Sequence, residues 1–294
     1  MTGPAPQVSG GIGLWFGTNL MEPNQAAEFA ARVESLGYSA LWLPETTHRD
    51  PFAHIAFLAT QTDSLVFATG IASIFHRHPG AMKQAAMTVA EQSNDRLIVG
   101  LGVSHAPMVS GVRKLDYTRP LSQMRDYLDG MDEAPYSGAA TPQPPLVLAA
   151  LGPKMLQLAA DRSDGAHPYW TTPEHTELAR SVLGPDKLLC VEQKVVLTSE
   201  ADEARSKARE AVDLYADLPN YRNNWIRLGF SDDEINHRST RLLDGLVAWG
   251  SAERINERVQ AHYDAGASHV CIQPIAAGRF GTLDEHTLEG LAPG

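Results

Sequence analysis

Five of the 11 histidines in this 294-residue chain follow short apolar runs that have the composition of β-strands. The ordinary pKa of imidazole lies close to neutral pH, so histidine can transfer protons, and its ring nitrogens also bind metal ions. Side chains that follow successive parallel strands meet at one end of a sheet or barrel. The pattern therefore predicts acid–base or ligand-binding chemistry at that end, around His48, His76, His78, His105 and His167.

Two polar residues at strand ends are the predicted catalytic residues. His105 follows the run Leu101–Ser104, at a strand end whose side chains point into the mouth of the fold. Glu45 is the only carboxylate directly at the end of an early strand. A partly buried carboxylate has a raised pKa suited to proton transfer near neutral pH, which is the functional interpretation of Glu45. The alternative interpretation is an ion pair with Arg49 or Arg77.

The segment 149–155, with the sequence AALGPKM, indicates the class of ligand. A strand end of small residues runs through Gly152 into a helix whose first turn holds Pro153 and Lys154. Backbone N–H groups at a helix N-terminus bind phosphate, and a lysine adds positive charge. This turn is therefore a candidate phosphate site.

Strand-like runs and amphipathic helical runs alternate along the chain, and Gly37 and Pro79 are placed to end and to begin helices. Eight such strands predict an α/β fold, a closed (β/α)8 TIM barrel, with a doubly wound open sheet as the alternative. A mostly helical block at about 200–250 is interpreted as an insertion between strand 7 and strand 8, so that residues 1–294 form a single domain. The predicted strands are 12–16, 40–43, 65–71, 97–103, 146–150, 164–167, 188–198 and 268–273, and the predicted helices are 24–36, 51–62, 79–92, 119–131, 153–162, 172–183 and 252–265.

The composition narrows the function classes. The net charge is −11 and the sequence pI is about 5.4, which argues against a nucleic-acid partner because phosphate neutralisation requires a basic face. The N-terminal residues lack a positive segment followed by an apolar one, and no apolar run approaches the length of a membrane span. A cytoplasmic protein without a membrane partner is expected. Cys190 and Cys271 are expected to be buried core residues.

The segment His76–His78 has the His-x-His spacing of a metal site. Together with His105 it leaves a metal-dependent barrel hydrolase as an alternative of another class. Pro79 follows at once and suggests instead that the segment enters a helix, so no metal ligands are predicted. The sequence contains no Walker loop, no Gly-x-Ser-x-Gly elbow and no Gly-x-Gly-x-x-Gly fingerprint after a strand.

Several stretches of the chain occur in the same order and spacing in a known family. They are 35–45 (SLGYSALWLPE), 68–71 and 76–80 (ATGI and HRHPG), 96–103 (RLIVGLGV), 144–154 and 159–165 (PPLVLAALGPK and AADRSDG), and 250–254 and 266–270 (GSAER and GASHV). On these stretches the sequence resembles the luciferase-like monooxygenase superfamily, in particular its actinobacterial branch of coenzyme F420-dependent oxidoreductases. The resemblance covers nearly the whole chain and depends on the combination of stretches.

The resemblance implies a set of cofactor-binding residues and a non-proline cis peptide bond at Gly70–Ile71 that backs the cofactor ring. It also implies that the phosphate of the cofactor binds at the turn 151–155, and that Glu45 lies at the reactive side of the ring. The implied cofactor is F420, with FMN as the alternative. The implied cofactor-binding residues are Thr69, Gly70, Ile71, Ala72, Val103, Ser104, His105, Ala149, Ala150, Leu151, Gly152, Pro153, Lys154 and Met155.

The expected function is hydride transfer between F420 and a small organic substrate, with His105 or Glu45 as the proton donor or acceptor. Trp15, Phe16, Phe75 and Trp170 are candidates for an apolar wall, and Arg77, Arg113 and Lys114 for contacts with the acidic tail of the cofactor.

Sugar-phosphate dehydrogenases of this family carry Asp-His after strand 2 and a glutamate after strand 4. At the matching positions this chain carries Pro44-Glu45 and His105. This difference argues against a sugar-phosphate substrate. The alternatives are an FMN-dependent luciferase-like monooxygenase and a cofactor-free binding protein. A homodimer is expected by analogy.

Overall fold

The computed structural model describes residues 8–138, 143–278 and 282–294. Parallel strands alternate with helices along these residues, as the sequence predicts. The strands are β1 (Ile12–Trp15), β2 (Ala40–Leu43), β3 (Val66–Thr69), β4 (Ala72–Ser73), β5 (Leu97–Gly102), β6 (Leu146–Leu148), β7 (Gly165–Ala166), β8 (Leu188–Leu197), β9 (Val247–Gly250) and β10 (His269–Pro274). The helices are α1 (Pro23–Ser35), α2 (Pro51–Leu58), α3 (Pro79–Gln92), α4 (Pro120–Glu133), α5 (Pro153–Arg162), α6 (Pro173–Leu183), α7 (Ala201–Asp213), α8 (Pro219–Arg227), α9 (Asp232–His237), α10 (Thr240–Leu246), α11 (Ala252–Asp264) and α12 (Glu285–Gly290).

The parallel strands close into a barrel. The strands pair in the order β1–β2–β3–β5–β6–β7–β8, and β10 pairs with both β8 and β1, so that Val270 lies opposite Val191 on one side and Ile12 on the other. β3 and β4 are two parts of the third barrel strand, because both pair with β5. The predicted (β/α)8 TIM barrel is therefore confirmed.

Proline residues begin many of the helices, because proline has its φ preset for the helix and lacks only an N–H that would be unpaired at that position. α1 to α6 and α8 all begin this way. α5 spans Pro153–Arg162, the range predicted from the sequence. α1 ends close to Gly37, whose φ of +83° lies in the left-handed region that favours glycine. Among the described residues, none of the helices combines the length and the hydropathy of a membrane-spanning segment.

Two packed layers hold the barrel together. The interior is filled by side chains such as Trp42, Ala68 and Ile98, and Cys190 and Cys271 are buried there without a disulfide, as expected. The outer layer packs the apolar faces of the helices against the strands. A separate apolar cluster around Trp225 joins the inserted helices to the barrel.

The inserted block differs from the prediction in one respect. It contains α7 to α10, but the strand β9 lies within the region interpreted as helical, and it pairs with Lys194–Leu197 at the end of β8. β8 is ten residues long and extends beyond β7, which leaves an edge that β9 covers. A short apolar run such as Val247–Trp249 is compatible with helix or strand, so its periodicity alone could not decide.

Candidate functional site

A cavity of about 770 Å³ opens where the carboxyl ends of the barrel strands meet. Most of its lining is apolar, as is usual for sites that bind organic ligands. The structure brings most of the predicted site residues together around this cavity. Glu45, Gly70, Ile71, Val103, Ser104, His105 and the residues from Ala149 to Met155 all contribute to its lining.

Two predicted cofactor-binding residues, Thr69 and Ala72, do not line the cavity. Both are buried in the barrel wall. The Thr69 hydroxyl donates to the carbonyl oxygen of Gly100 and accepts from its N–H, each at 2.8 Å. Thr69 therefore links two strands, and the structure does not bring it to the cavity because successive residues of a strand face opposite sides.

The third barrel strand is interrupted between β3 and β4 by the peptide bond Gly70–Ile71, which is cis. The neighbouring strand β5 makes room for this feature with two glycines. A β-carbon on Gly102 would lie 2.6 Å from the Ile71 side chain, and one on Gly100 would lie 2.1 Å from the Thr69 carbonyl oxygen. Gly70 and Ile71 form the floor of the cavity, and the two glycines behind them leave the space that Ile71 and the Thr69 carbonyl occupy.

Glu45 is held as an ion pair, and its predicted raised pKa is wrong. Its carboxylate accepts from Arg77 at 2.5 and 3.1 Å, lies 3.0 Å from the ring of His76, and accepts from the Ser73 N–H at 2.7 Å. Burial raises the pKa of this carboxyl, but the hydrogen bonds from His76, Arg77 and Ser73 outweigh it, so the pKa is lowered from its ordinary value. Glu45 is therefore a fixed anion at the cavity wall and not a proton donor near neutral pH.

Replacing Glu45 with glutamine is expected to lower the free energy of unfolding at pH 7 by about 3 kcal/mol, because Arg77 and His76 would lose a buried carboxylate. The pKa is lowered in the folded protein, so this contribution is present above the ordinary pKa of 4.5 and is lost as the pH falls below it. Urea unfolding of both proteins at several pH values measures the difference. The control, Glu285→Gln, removes an exposed partner of Arg32 and should change stability by less than about 1 kcal/mol.

His105 lines the cavity, and one of its ring nitrogens has no hydrogen-bond partner among the described residues. Its Nδ1 atom is buried and makes no hydrogen bond there, whereas the side chain of Asn220 hydrogen-bonds to the ring. Burial lowers the pKa of His105, and the contact with Asn220 opposes this only in part. The imidazole is therefore neutral at pH 7 and can accept a proton.

The inserted block supplies one wall of the cavity, which the sequence interpretation missed. Tyr215 and Tyr221 lie in contact distance of Tyr169, in the loop after β7, and their ring centroids are 5.8 and 6.2 Å from the centroid of its ring. Tyr221 also lies 5.4 Å from the ring of His105. The aromatic and amide residues of the segment 215–225 (YADLPNYRNNW) are the feature of the sequence that could have indicated this wall.

Of the side chains predicted to form an apolar wall, Trp15 lines the cavity, and Phe16, Phe75 and Trp170 do not.

Two positively charged side chains, Lys154 and Arg227, lie where α5 begins and form a cationic corner of the cavity. Gly152 precedes Pro153 at the helix N-terminus and carries no side chain that could cap it. The guanidinium of Arg227, at the end of α8, is so close that a β-carbon on Gly152 would lie 3.4 Å from it. Lys154 and Arg227 both line the cavity, and they are the only cationic side chains among its described lining residues. Arg227 was not predicted, because nothing in the local sequence indicates that the insertion reaches this turn.

The three residues predicted to meet an acidic tail have other roles or positions. Arg77 is bound by Glu45 and Asp50, and Arg113 donates to the carbonyl oxygen of Thr46. Neither these two nor Lys114 lines the cavity. The predicted alternative partner of Glu45, Arg49, instead donates to backbone carbonyls.

The histidines of the His-x-His segment are also engaged. His76 contacts Glu45, and the ring of His78 accepts a hydrogen bond from the Gly80 N–H at the start of α3. Over the described ranges 8–138, 143–278 and 282–294, no three His, Cys, Asp or Glu side chains are grouped so that they could hold a metal ion.

Comparison with known proteins identifies the family of this chain. The model of the luciferase-like monooxygenase family matches residues 4–269. A protein of Mycobacterium tuberculosis assigned as a coenzyme F420-dependent oxidoreductase is 23% identical, over 89% of this chain and 93% of that protein.

Two solved structures show the same fold. An F420-dependent secondary alcohol dehydrogenase in complex with an F420–acetone adduct aligns with a TM-score of 0.73 at 16% identity, over 96% of this chain and 97% of that one. The FMN complex of the oxygenating constituent of 3,6-diketocamphane monooxygenase from Pseudomonas putida aligns with a TM-score of 0.68 at 15% identity, over 96% of each chain. With a family match that spans most of its length, this chain belongs to the luciferase-like monooxygenase family.

Proposed function

We propose that this chain is an oxidoreductase that transfers a hydride between coenzyme F420 and a small, neutral organic substrate. The observation that carries the proposal is the arrangement of one cavity. The cationic corner at the start of α5, the floor formed by Gly70 and Ile71, and the neutral imidazole of His105 all line this cavity. The relatedness to a protein assigned as F420-dependent supports the choice of cofactor.

The residues present fit a phosphate-bearing ring cofactor. Backbone N–H groups and the helix dipole at the start of α5 favour an anion, and Arg227 and Lys154 add two positive charges in a protein of net charge −11. The cavity has the size of ordinary cofactor sites, and its floor lacks side chains at Gly70. Leu151, Gly152 and Lys154 would therefore hold the phosphate, and Gly70 and Ile71 would support the ring.

The bound cofactor supplies the hydride-carrying carbon. The protein supplies position, exclusion of water and a proton acceptor. The ring of His105 is the proton acceptor for a substrate hydroxyl when the substrate is oxidised, and it returns the proton in the reverse direction. Tyr215 and Tyr221 cover the site from the side of the insertion, which keeps water from the reacting atoms.

The substrate should be neutral, because the charged side chains of the described lining are few and already assigned. Glu45 is neutralised by Arg77, and Lys154 and Arg227 lie at the phosphate turn. A sugar phosphate or carboxylate would find no further cation at the described lining.

The second candidate is an FMN-dependent monooxygenase, which the FMN-bound structural neighbour favours. Both cofactors carry a phosphate and a tricyclic ring, so the same turn and floor would serve either. Competition between F420 and FMN, followed by quenching of cofactor fluorescence, separates the two. F420 should displace FMN from the protein, and displacement in the opposite direction would favour the monooxygenase.

Replacing Gly152 with valine is expected to weaken F420 binding about tenfold or more, because the new side chain would push against Arg227 and cover the backbone N–H groups. The backbone at Gly152 has φ −90° and ψ 158°, which valine adopts readily, so the effect should be on the ligand. A fluorescence titration measures it. The control is Cys190→Ala, at a buried residue that does not line the cavity, and equal affinities in the two variants would argue against a phosphate at this turn.

A further inference from the structure

His167 is a buried histidine that the proposed mechanism does not use. It follows β7 and contributes to the cavity lining, and it is 2% exposed. Its ring stacks on the indole of Trp42 at a centroid distance of 4.2 Å and an interplanar angle of 15°. The ring is therefore fixed in its plane by packing, and its two nitrogens point in fixed directions.

The hydrogen bonds of His167 define its tautomer. Nδ1 lies 2.8 Å from the carbonyl oxygen of Cys190, which can only accept, so Nδ1 carries the proton. Burial lowers the pKa of His167 to about 4, so the ring is neutral at physiological pH. Nε2 then carries a lone pair, and it has no hydrogen-bond partner among the described residues. A buried acceptor without a partner is costly, and such atoms are normally satisfied by a ligand or a bound water.

The lone pair faces the interrupted third strand. A β-carbon on Gly70 would lie 3.4 Å from Nε2 of His167 and 2.5 Å from the indole Nε1 of Trp15. The Nε2 acceptor of His167 therefore lies next to a position in the cavity lining where the chain has no side chain. A ligand that carries an N–H group at its edge is complementary to this acceptor.

We propose that His167 is a ring-recognition residue, whose Nε2 accepts a hydrogen bond from the imide N–H of the cofactor ring that rests against Gly70. The inference rests on the proposed function. It does not depend on which cofactor is used, because F420 and FMN share the imide edge. It concerns binding of the ring and not proton transfer during the reaction.

The test is a binding titration, without substrate, of two deazaflavin probes that differ at one atom. One carries the imide N–H, and the other carries an N–CH3 group there. Wild-type protein should bind the first about tenfold more tightly or better, because methylation leaves Nε2 without a donor. In His167→Phe, which keeps an aromatic ring against Trp42, the two affinities should become nearly equal. The matched control is His269→Phe, at the other imidazole that neighbours Trp42, whose ring nitrogens contact Trp42 and Val8; it should keep the wild-type preference.

The ratio of the two affinities is the readout, so partial loss of folded protein in a variant does not affect it. Equal binding of the two probes by wild type, or an unchanged preference in His167→Phe, would overturn the inference while leaving the proposed function intact. If wild-type protein binds neither F420 nor FMN, the proposed function itself fails. The two failures are therefore distinguishable.

Discussion

Replacing His105 with alanine is expected to lower kcat about 10²- to 10³-fold, while the affinity for F420 falls by less than about tenfold. The ring lies at the cavity with Nδ1 unsatisfied among the described residues, and it is neutral because burial lowers its pKa. A neutral imidazole within reach of the substrate can accept the hydroxyl proton. The measurement is steady-state turnover of a neutral alcohol or ketone that the wild type accepts.

The pH profile distinguishes proton transfer from a structural role of His105. Activity should fall on the acid side as the imidazole becomes protonated, and this limb should lie below the ordinary histidine value of 6.5 because the pKa is lowered. The residual activity of His105→Ala should not show this decrease at low pH. The control, His286→Ala, changes an exposed histidine of α12 that does not line the cavity, and it should behave as wild type. An acid limb that persists in His105→Ala would assign the proton to another group.

Reversing the charge of Arg227 to glutamate is expected to weaken F420 binding about 100-fold, because the anion would then meet a carboxylate at the start of α5. Binding to the wild type should weaken with added salt, and the variant should show a smaller salt dependence. Arg222→Glu is the matched control, since Arg222 lies on the same helix, pairs with Asp232 and does not line the cavity.

A probe without the phosphate makes the test of Arg227 specific. The affinity for a riboflavin-type deazaflavin, which carries the ring but no phosphate, should change little in Arg227→Glu. If both probes lose affinity equally, Arg227 acts through the shape of α8 and not through a contact with the phosphate.

The barrel and the start of α5 were predictable from the sequence because local chemistry determines them. Pro153 and the preceding Gly152 mark the strand–helix junction, so α5 was predicted at its observed bounds. The position of the cis bond at Gly70–Ile71 came from the resemblance and is present in the structure. The oligomeric state and the cellular location stay predictions.

The remaining features depend on contacts between distant parts of the chain. Glu45 and Arg77 are 32 positions apart, and the lowered pKa of Glu45 follows from their pairing in the fold. Arg227 reaches Gly152 from an insertion that packs back over the mouth of the barrel. Local patterns carry no information on such pairings, so the residues of the insertion that line the cavity were not identified.

The central claim is that the turn from Leu151 to Met155 holds a phosphate while Gly70 and Ile71 support the ring of F420. A crystal structure of the protein with bound F420 tests it most directly. We expect phosphate density within hydrogen-bond distance of the backbone N–H groups at the start of α5 and of Arg227, with the ring stacked over Gly70 and Ile71. Density for F420 elsewhere on the protein, or a cavity that stays empty at saturating F420, would contradict it.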